Sequence, residues 1–153
     1  MALKGQDALR RKLLKMTPEI RAQLEIAVLA GAQDVAKTAK ALVPKRSGRL
    51  MDSIGAVLGD APSTTATQAL RGGGSKADGI RATAYAGDDN AYYAGWIEFG
   101  TAPHKQGGLY KGTLHPGTVA QPFFFPAFRT NKKRAKSRVT RAIKKAIKKA
   151  AQS

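Results

Sequence analysis

No cysteine occurs in the 153 residues, so disulfides and thiolate metal sites are excluded. Aromatic residues make up 7% of the chain, with a single Trp, and a core has to come mostly from aliphatic and alanine side chains. No apolar run approaches the roughly 18 residues of a membrane span. The stretch MALKGQDALRRKLLK is charged throughout and has no apolar h-region, so a soluble protein made in a cytoplasm is expected. Acid is missing altogether beyond Glu98. Residues 1–98 hold 14 Lys/Arg against 10 Asp/Glu, a balance of +4; residues 99–153 hold 13 Lys/Arg and no acid, a balance of +13. A domain with a basic arm is the natural organisation, and the arm wants a polyanion: nucleic acid, an anionic membrane surface or an acidic protein face.

The length suits one domain with such an appendage. Residues 1–16 read as a basic arm or short helix, 17–128 as the domain, and 129–153 as a basic helix packed on it or extending from it. A helix is expected from Thr17, a plausible N-cap, with Pro18 in the first turn and Glu19 at the positive end of the dipole. Its apolar face runs through Ile20, Leu24, Ala27, Val28, Val35, Ala39 and Leu42, and Pro44 stops it near Val43. Leu50 and Ile54 are expected anchors, and a strand can start between Ser53 and Leu58. Residues 59–79 are rich in Gly, Ser, Thr and Ala, and RGGGSKADG among them reads as a flexible loop or hairpin tip. GIRATAYAG (79–87) alternates as a strand does. AYYAGWIEFG fits a short helix or a strand, 102–118 a long loop, and QPFFFPAF an extended segment up to Pro126. A last helix follows. Its apolar face would hold Phe128, Ala135, Val139, Ala142, Ile143, Ala146, Ile147 and Ala150. Arg129, Lys132, Lys133, Arg134, Lys136, Arg138, Arg141, Lys144, Lys145, Lys148 and Lys149 would bind an anionic partner. Like charges at i,i+4 cost such a helix roughly 0.2–0.5 kcal/mol per pair. Helix, strands and helix make an α+β fold with a small antiparallel sheet and long loops.

No local motif for nucleophilic catalysis is present. His104 and His115, with Glu98, could hold a metal, but two histidines eleven apart in a Pro/Gly-rich loop match no zinc spacing. Asp88 and Asp89 lie in a turn, and nothing pairs them with Glu98 for carboxylate catalysis. RGGGSK lacks the Gly-Lys-Ser/Thr element and following helix of a phosphate loop. No enzyme activity and no cofactor are expected. The basic helix leaves two readings: a nucleic-acid arm, or a docking helix facing an acidic neighbour.

Three segments in order are more specific than any one alone: VPKRSGRLMDSI (43–54), YYAGWIEFGT (92–101) and QPFFFPAF (121–128). Together they resemble the tail-completion, or head–tail joining, family of long-tailed phages and phage-like gene transfer particles. The matching positions are Val43, Pro44, Gly48, Leu50, Ser53, Ile54, Tyr93, Glu98, Phe99, Gly100, Thr101, Gln121, Pro122, Phe123, Pro126 and Ala127, with Trp96 inside the aromatic segment. Arg46-Ser47 and Phe125 depart from the family pattern. The resemblance implies a small α+β subunit without catalysis, present in the virion and made in the bacterial host cytoplasm. It implies a homo-oligomeric ring, commonly of six copies, that caps the tail tube at the neck and joins it to the DNA-filled head. Partners would be other copies, head-connector or stopper proteins and tail-tube proteins, with non-specific DNA contact in the channel and no membrane. Glu98 then becomes a buried or interfacial anchor, with Arg49 or Arg129 as its expected counter-ion, since an unpaired buried carboxylate costs several kcal/mol. Gly100 is expected to supply a backbone angle or close approach that a side chain would forbid.

Overall fold

The computed structural model describes residues 18–65, 69–72 and 79–150. The expected arm at 1–16, the Thr17 cap and most of RGGGSKADG lie outside these residues. Helix α1 spans Pro18–Leu42. Ile20, Leu24, Ala27, Val35 and Ala39 recur at helical spacing and are all buried. Pro44 disfavours helical geometry at Val43, and the helix stops there. Leu42, expected on the buried face, is half exposed at this end. A single turn, α2 (Arg49–Asp52), follows Gly48, whose φ of 77° lies in the left-handed region. It delivers Leu50, and just beyond it Ile54, into the core as expected.

Strand β1 (Gly55–Leu58) pairs antiparallel with β3 (Ala82–Ala86), Gly55 opposite Tyr85 and Leu58 opposite Ala82. Strand β2 (Leu70–Gly72) pairs with the other edge of β3, so the order is β1-β3-β2. β2 lies in the stretch rich in Gly, Ser, Thr and Ala and takes in the first two residues of RGGGSKADG, expected as a flexible loop or hairpin tip. Leu70 is its one strong apolar residue; it is buried, opposite Ala86, and tertiary burial decides the conformation. After β3 comes the short helix α3 (Ala94–Phe99). The segment 102–118 is not a plain loop: β4 (His104–Lys105) and β5 (Leu114–His115) form a hairpin with a 3-10 turn at Gly108–Tyr110.

The last helix, α4, spans Phe124–Ala150 and begins two residues before the expected Pro126. It runs antiparallel along α1. Asn131 lies beside Thr38, Arg138 beside Asp34, and Ala146 in a cluster with Ile20 and Leu24. The buried line differs from the expected apolar face. Phe128 and Ile147 are exposed, whereas Asn131 is buried and Arg138 half-buried. The Asn131 amide donates to Thr38 Oγ1 (2.8 Å) and to the Ala127 carbonyl (2.9 Å), which satisfies it inside the helix pair. The main core joins α1, the sheet, α3 and the start of α4 through Val35, Ala39, Val43, Leu50, Ile54, Ala84, Ala86, Ala94, Phe123 and Phe124. The architecture is α+β: a long helix, a small antiparallel sheet with loops, and a basic terminal helix. Among the described residues no helix is long and apolar enough to cross a membrane.

Candidate functional site

The three segments singled out in the sequence meet in space. Leu50 and Ile54 from the first, Ala94 from the second with Ala91 just before it, and Phe123, Phe124 and Ala127 from the third share one core. Ser53 accounts for its place in the first segment. Its hydroxyl donates to the Leu50 carbonyl (2.8 Å) and accepts from the Gly87 N–H (3.0 Å), tying α2 to the end of β3.

Glu98 stands at the centre of the junction and is 3% exposed. The expected counter-ions are not its partners: Arg49 and Arg129 both lie exposed, and no ion pair reaches Glu98 among the described residues. Its carboxylate instead accepts three backbone N–H groups at the start of α4. Phe123 and Phe124 donate to Oε2 at 2.8 Å each, and Phe125 donates to Oε1 at 3.0 Å. A helix leaves its first four N–H groups without intrahelical acceptors. Here three go to Glu98, and the fourth position is Pro126, which has no N–H. The ladder then begins with Ala127 N–H to the Phe123 carbonyl, 3.3 Å. Every orphan donor is accounted for, and the negative charge sits at the positive end of the helix dipole. This explains why an acid occurs in an aromatic segment and why a proline follows three residues after Phe123. Sequence reasoning sought a side-chain cation; a tight backbone cap twenty-five residues away leaves no local signature.

Gly100 and Gly117 shape the neck beyond Glu98. Gly100 has φ 73° and Gly117 φ 88°, and at both a side chain would run into the facing backbone, Thr118 and Ala120 at one, Thr101 and Ala102 at the other. Thr101 and Thr118 exchange two backbone hydrogen bonds across this neck, 3.0 and 3.1 Å. The Gln121 N–H donates to the Ile97 carbonyl (2.8 Å), and its exposed side chain and that of Pro122 lead into α4. The neck holds out the hairpin, where His104 and His115 face each other in register with rings stacked at 5.1 Å. Leu109 and Val119 are 92% and 83% exposed, and Tyr110 and Leu114 are also largely bare. Glu98 is used up in the cap, and no group of three or more His, Cys, Asp or Glu that could hold a metal occurs among the described residues.

On α4 two of the predicted cations are engaged at one acid. Arg138 Nη1 lies 2.8 Å from Asp34 Oδ2, outside hydrogen-bonding geometry, and Arg134 Nε lies at 3.7 Å from the same oxygen. Arg129, Lys132, Lys133, Lys136, Arg141, Lys144, Lys145 and Lys148 point to solvent, with no ion pair among the described residues; Lys149 is exposed as well. Pro44 and Tyr93 are half-buried and flank the core, while Trp96 and Phe99 project outward from α3.

No curated protein and no solved structure matches this chain. Residues 7–100 match the family described as "Bacteriophage HK97-gp10, putative tail-component". The match covers more than half of the chain and ends at Glu98-Phe99-Gly100, the junction from which the hairpin and α4 depart. The chain belongs to the HK97-gp10-like family of bacteriophage tail components.

Proposed function

We propose that this tail component is a ring-forming tail-completion subunit: it caps the tail tube at the neck of the virion and joins it to the DNA-filled head. The observation that carries this reading is the hairpin arm. Leu109, Tyr110 and Leu114 are held away from the core on a neck fixed by paired backbone and two left-handed glycines, and Val119 lies exposed directly after it. Apolar area left in water forgoes about 25 cal/mol per Å². A single subunit gains nothing from such an arm, whereas a neighbour related by rotation can cover it. A head-to-tail contact of that kind generates a ring when the rotation closes. Six copies is the ring size that the sequence resemblance implies. The neighbours are then head-connector or stopper proteins on one side and tail-tube proteins on the other. No turnover is assigned to Glu98, since its acceptor capacity is spent on α4.

Deleting the gene in its native particle system and imaging the lysate by electron microscopy tests this directly. DNA-filled heads lying apart from tails, or tails of abnormal length, are expected. Normal particles in normal numbers would overturn the reading. A second reading, nucleic-acid binding through α4, is favoured by the eight solvent-facing cations on that helix. It predicts duplex binding that falls steeply with salt. Deleting 129–153 cannot test it cleanly, because Asn131 and Ala146 are part of the helix packing. Replacing Lys132, Lys133, Lys144 and Lys145 by Gln leaves that packing intact, and unchanged salt-sensitive binding in that variant would exclude the second reading.

A further inference from the structure

Five aromatic side chains form an exposed ridge beside the Glu98 junction. Trp96 and Phe99, three apart on α3, share one face of that helix, and the ring of Tyr92, in the turn before it, meets the Trp96 ring at 5.6 Å. Phe99 meets Phe125 at 5.7 Å, which carries the ridge from α3 onto α4. Phe128 lies one turn further on. Trp96 is 42% exposed and Phe99 65%. The same face of α4 continues as a cationic stripe through Arg129, Lys132 and Lys136, all exposed. Glu98 holds the two halves of the ridge together: it precedes Phe99 in the chain and accepts the Phe125 N–H. The ridge is therefore already ordered and loses little freedom on binding.

Contiguous exposed apolar surface edged by charge marks an interaction site. Trp, Tyr, Phe and Arg are the side chains that dominate protein interfaces. Charge decides the occupant. A second copy is a poor match, because the chain carries 27 Lys and Arg against 10 Asp and Glu, a formal net charge of +17, and Glu98, the acid beside the ridge, is buried in the α4 cap. A nucleic-acid duplex would use the cations through its phosphates and leave the apolar ridge, with Tyr92 and Trp96 edge against face at 88°, uncovered. We propose that the ridge and the stripe form one docking surface for an acidic protein other than this chain, with an apolar patch that takes Trp96 and Phe99 and carboxylates that meet Arg129, Lys132 and Lys136. The proposal rests on the chain being assembled among other virion proteins.

The test uses purified particles carrying the full chain with p-benzoylphenylalanine in place of Trp96, and a control with the same residue in place of Gln23 on the exposed side of α1. Ultraviolet light is expected to join position 96, and not position 23, to another virion protein, at a segment that mass spectrometry shows to be net negative. The double variant Lys132→Glu/Lys136→Glu should enter particles about tenfold less well, with an unchanged melting temperature for the purified protein. An adduct to another copy of this chain, a nuclease-sensitive adduct, an adduct on a neutral or basic segment, or no adduct in particles that contain the chain would each overturn the proposal. Absence of the chain from particles by immunoblot would instead overturn the virion reading, and the proposal with it.

Discussion

The two ends of α4 handle charge in opposite ways. At its start one buried carboxylate takes three backbone N–H groups and leaves nothing over. Along its length eight cations face water without an acid among the described residues. The first arrangement spends a charge on folding, since burial strengthens each hydrogen bond and makes each missing one costly. The second leaves charge unspent, and like charges spaced i,i+4 mildly oppose the helix that carries them. A helix that bears this cost is held by its packing on α1, through Asn131, Arg138 and Ala146, and its outer face is free for a partner.

The largest effect is expected at the buried end of α4. Glu98→Ala strands the Phe123 and Phe124 N–H groups in a site where both residues are fully buried, and should cost about 3–5 kcal/mol. Urea unfolding of the purified variant reads this directly. Glu98→Gln keeps one carbonyl acceptor but turns an amide NH₂ toward the remaining donors, and should cost roughly half as much. Next in size is the neck. Gly100→Ala and Gly117→Ala combine a disfavoured backbone region with contact against facing backbone, and each should lower stability by about 1–3 kcal/mol in thermal melts. Asn131→Ala removes the polar link between the two helices and should cost about 1–2 kcal/mol by the same assay. At the exposed end the sign should reverse. Lys144→Ala with Lys148→Ala removes a like-charged i,i+4 pair and should raise the melting point slightly, by an amount worth about 0.2–0.5 kcal/mol that shrinks as salt is added. A large loss there would mean that these lysines hold the fold after all.

Much of this was legible in the residues, and what was not has identifiable causes. The spacing of Ile20, Leu24, Ala27, Val35 and Ala39 gives α1, and Pro44 its end. Alternation in ATAYA gives β3, and Leu50 and Ile54 read correctly as anchors. The start of α4 lies two residues earlier than the sequence suggests, because a proline costs a helix dearly in its interior but not in the first turn, where Pro126 sits and no N–H is required. The partners of Glu98 are not legible in the sequence, because a backbone cap from a distant segment has no residue type to announce it. Phe128 and Ile147 look like core residues by composition, yet the packed line runs through Asn131 and Arg138, whose polar groups find Thr38 and Asp34 across the helix pair. The hairpin within 102–118 escaped because its strands are two residues each, too short for alternation to register.

Amide hydrogen exchange at Phe123, Phe124 and Phe125, followed by NMR in the wild-type chain and in Glu98→Ala, tests most directly whether this carboxylate is spent on the fold. Strong protection of all three in the wild type, lost in the variant ahead of the rest of α4, is the predicted result. Equal protection in both proteins would contradict this and would mean that the Glu98 carboxylate is not what caps α4.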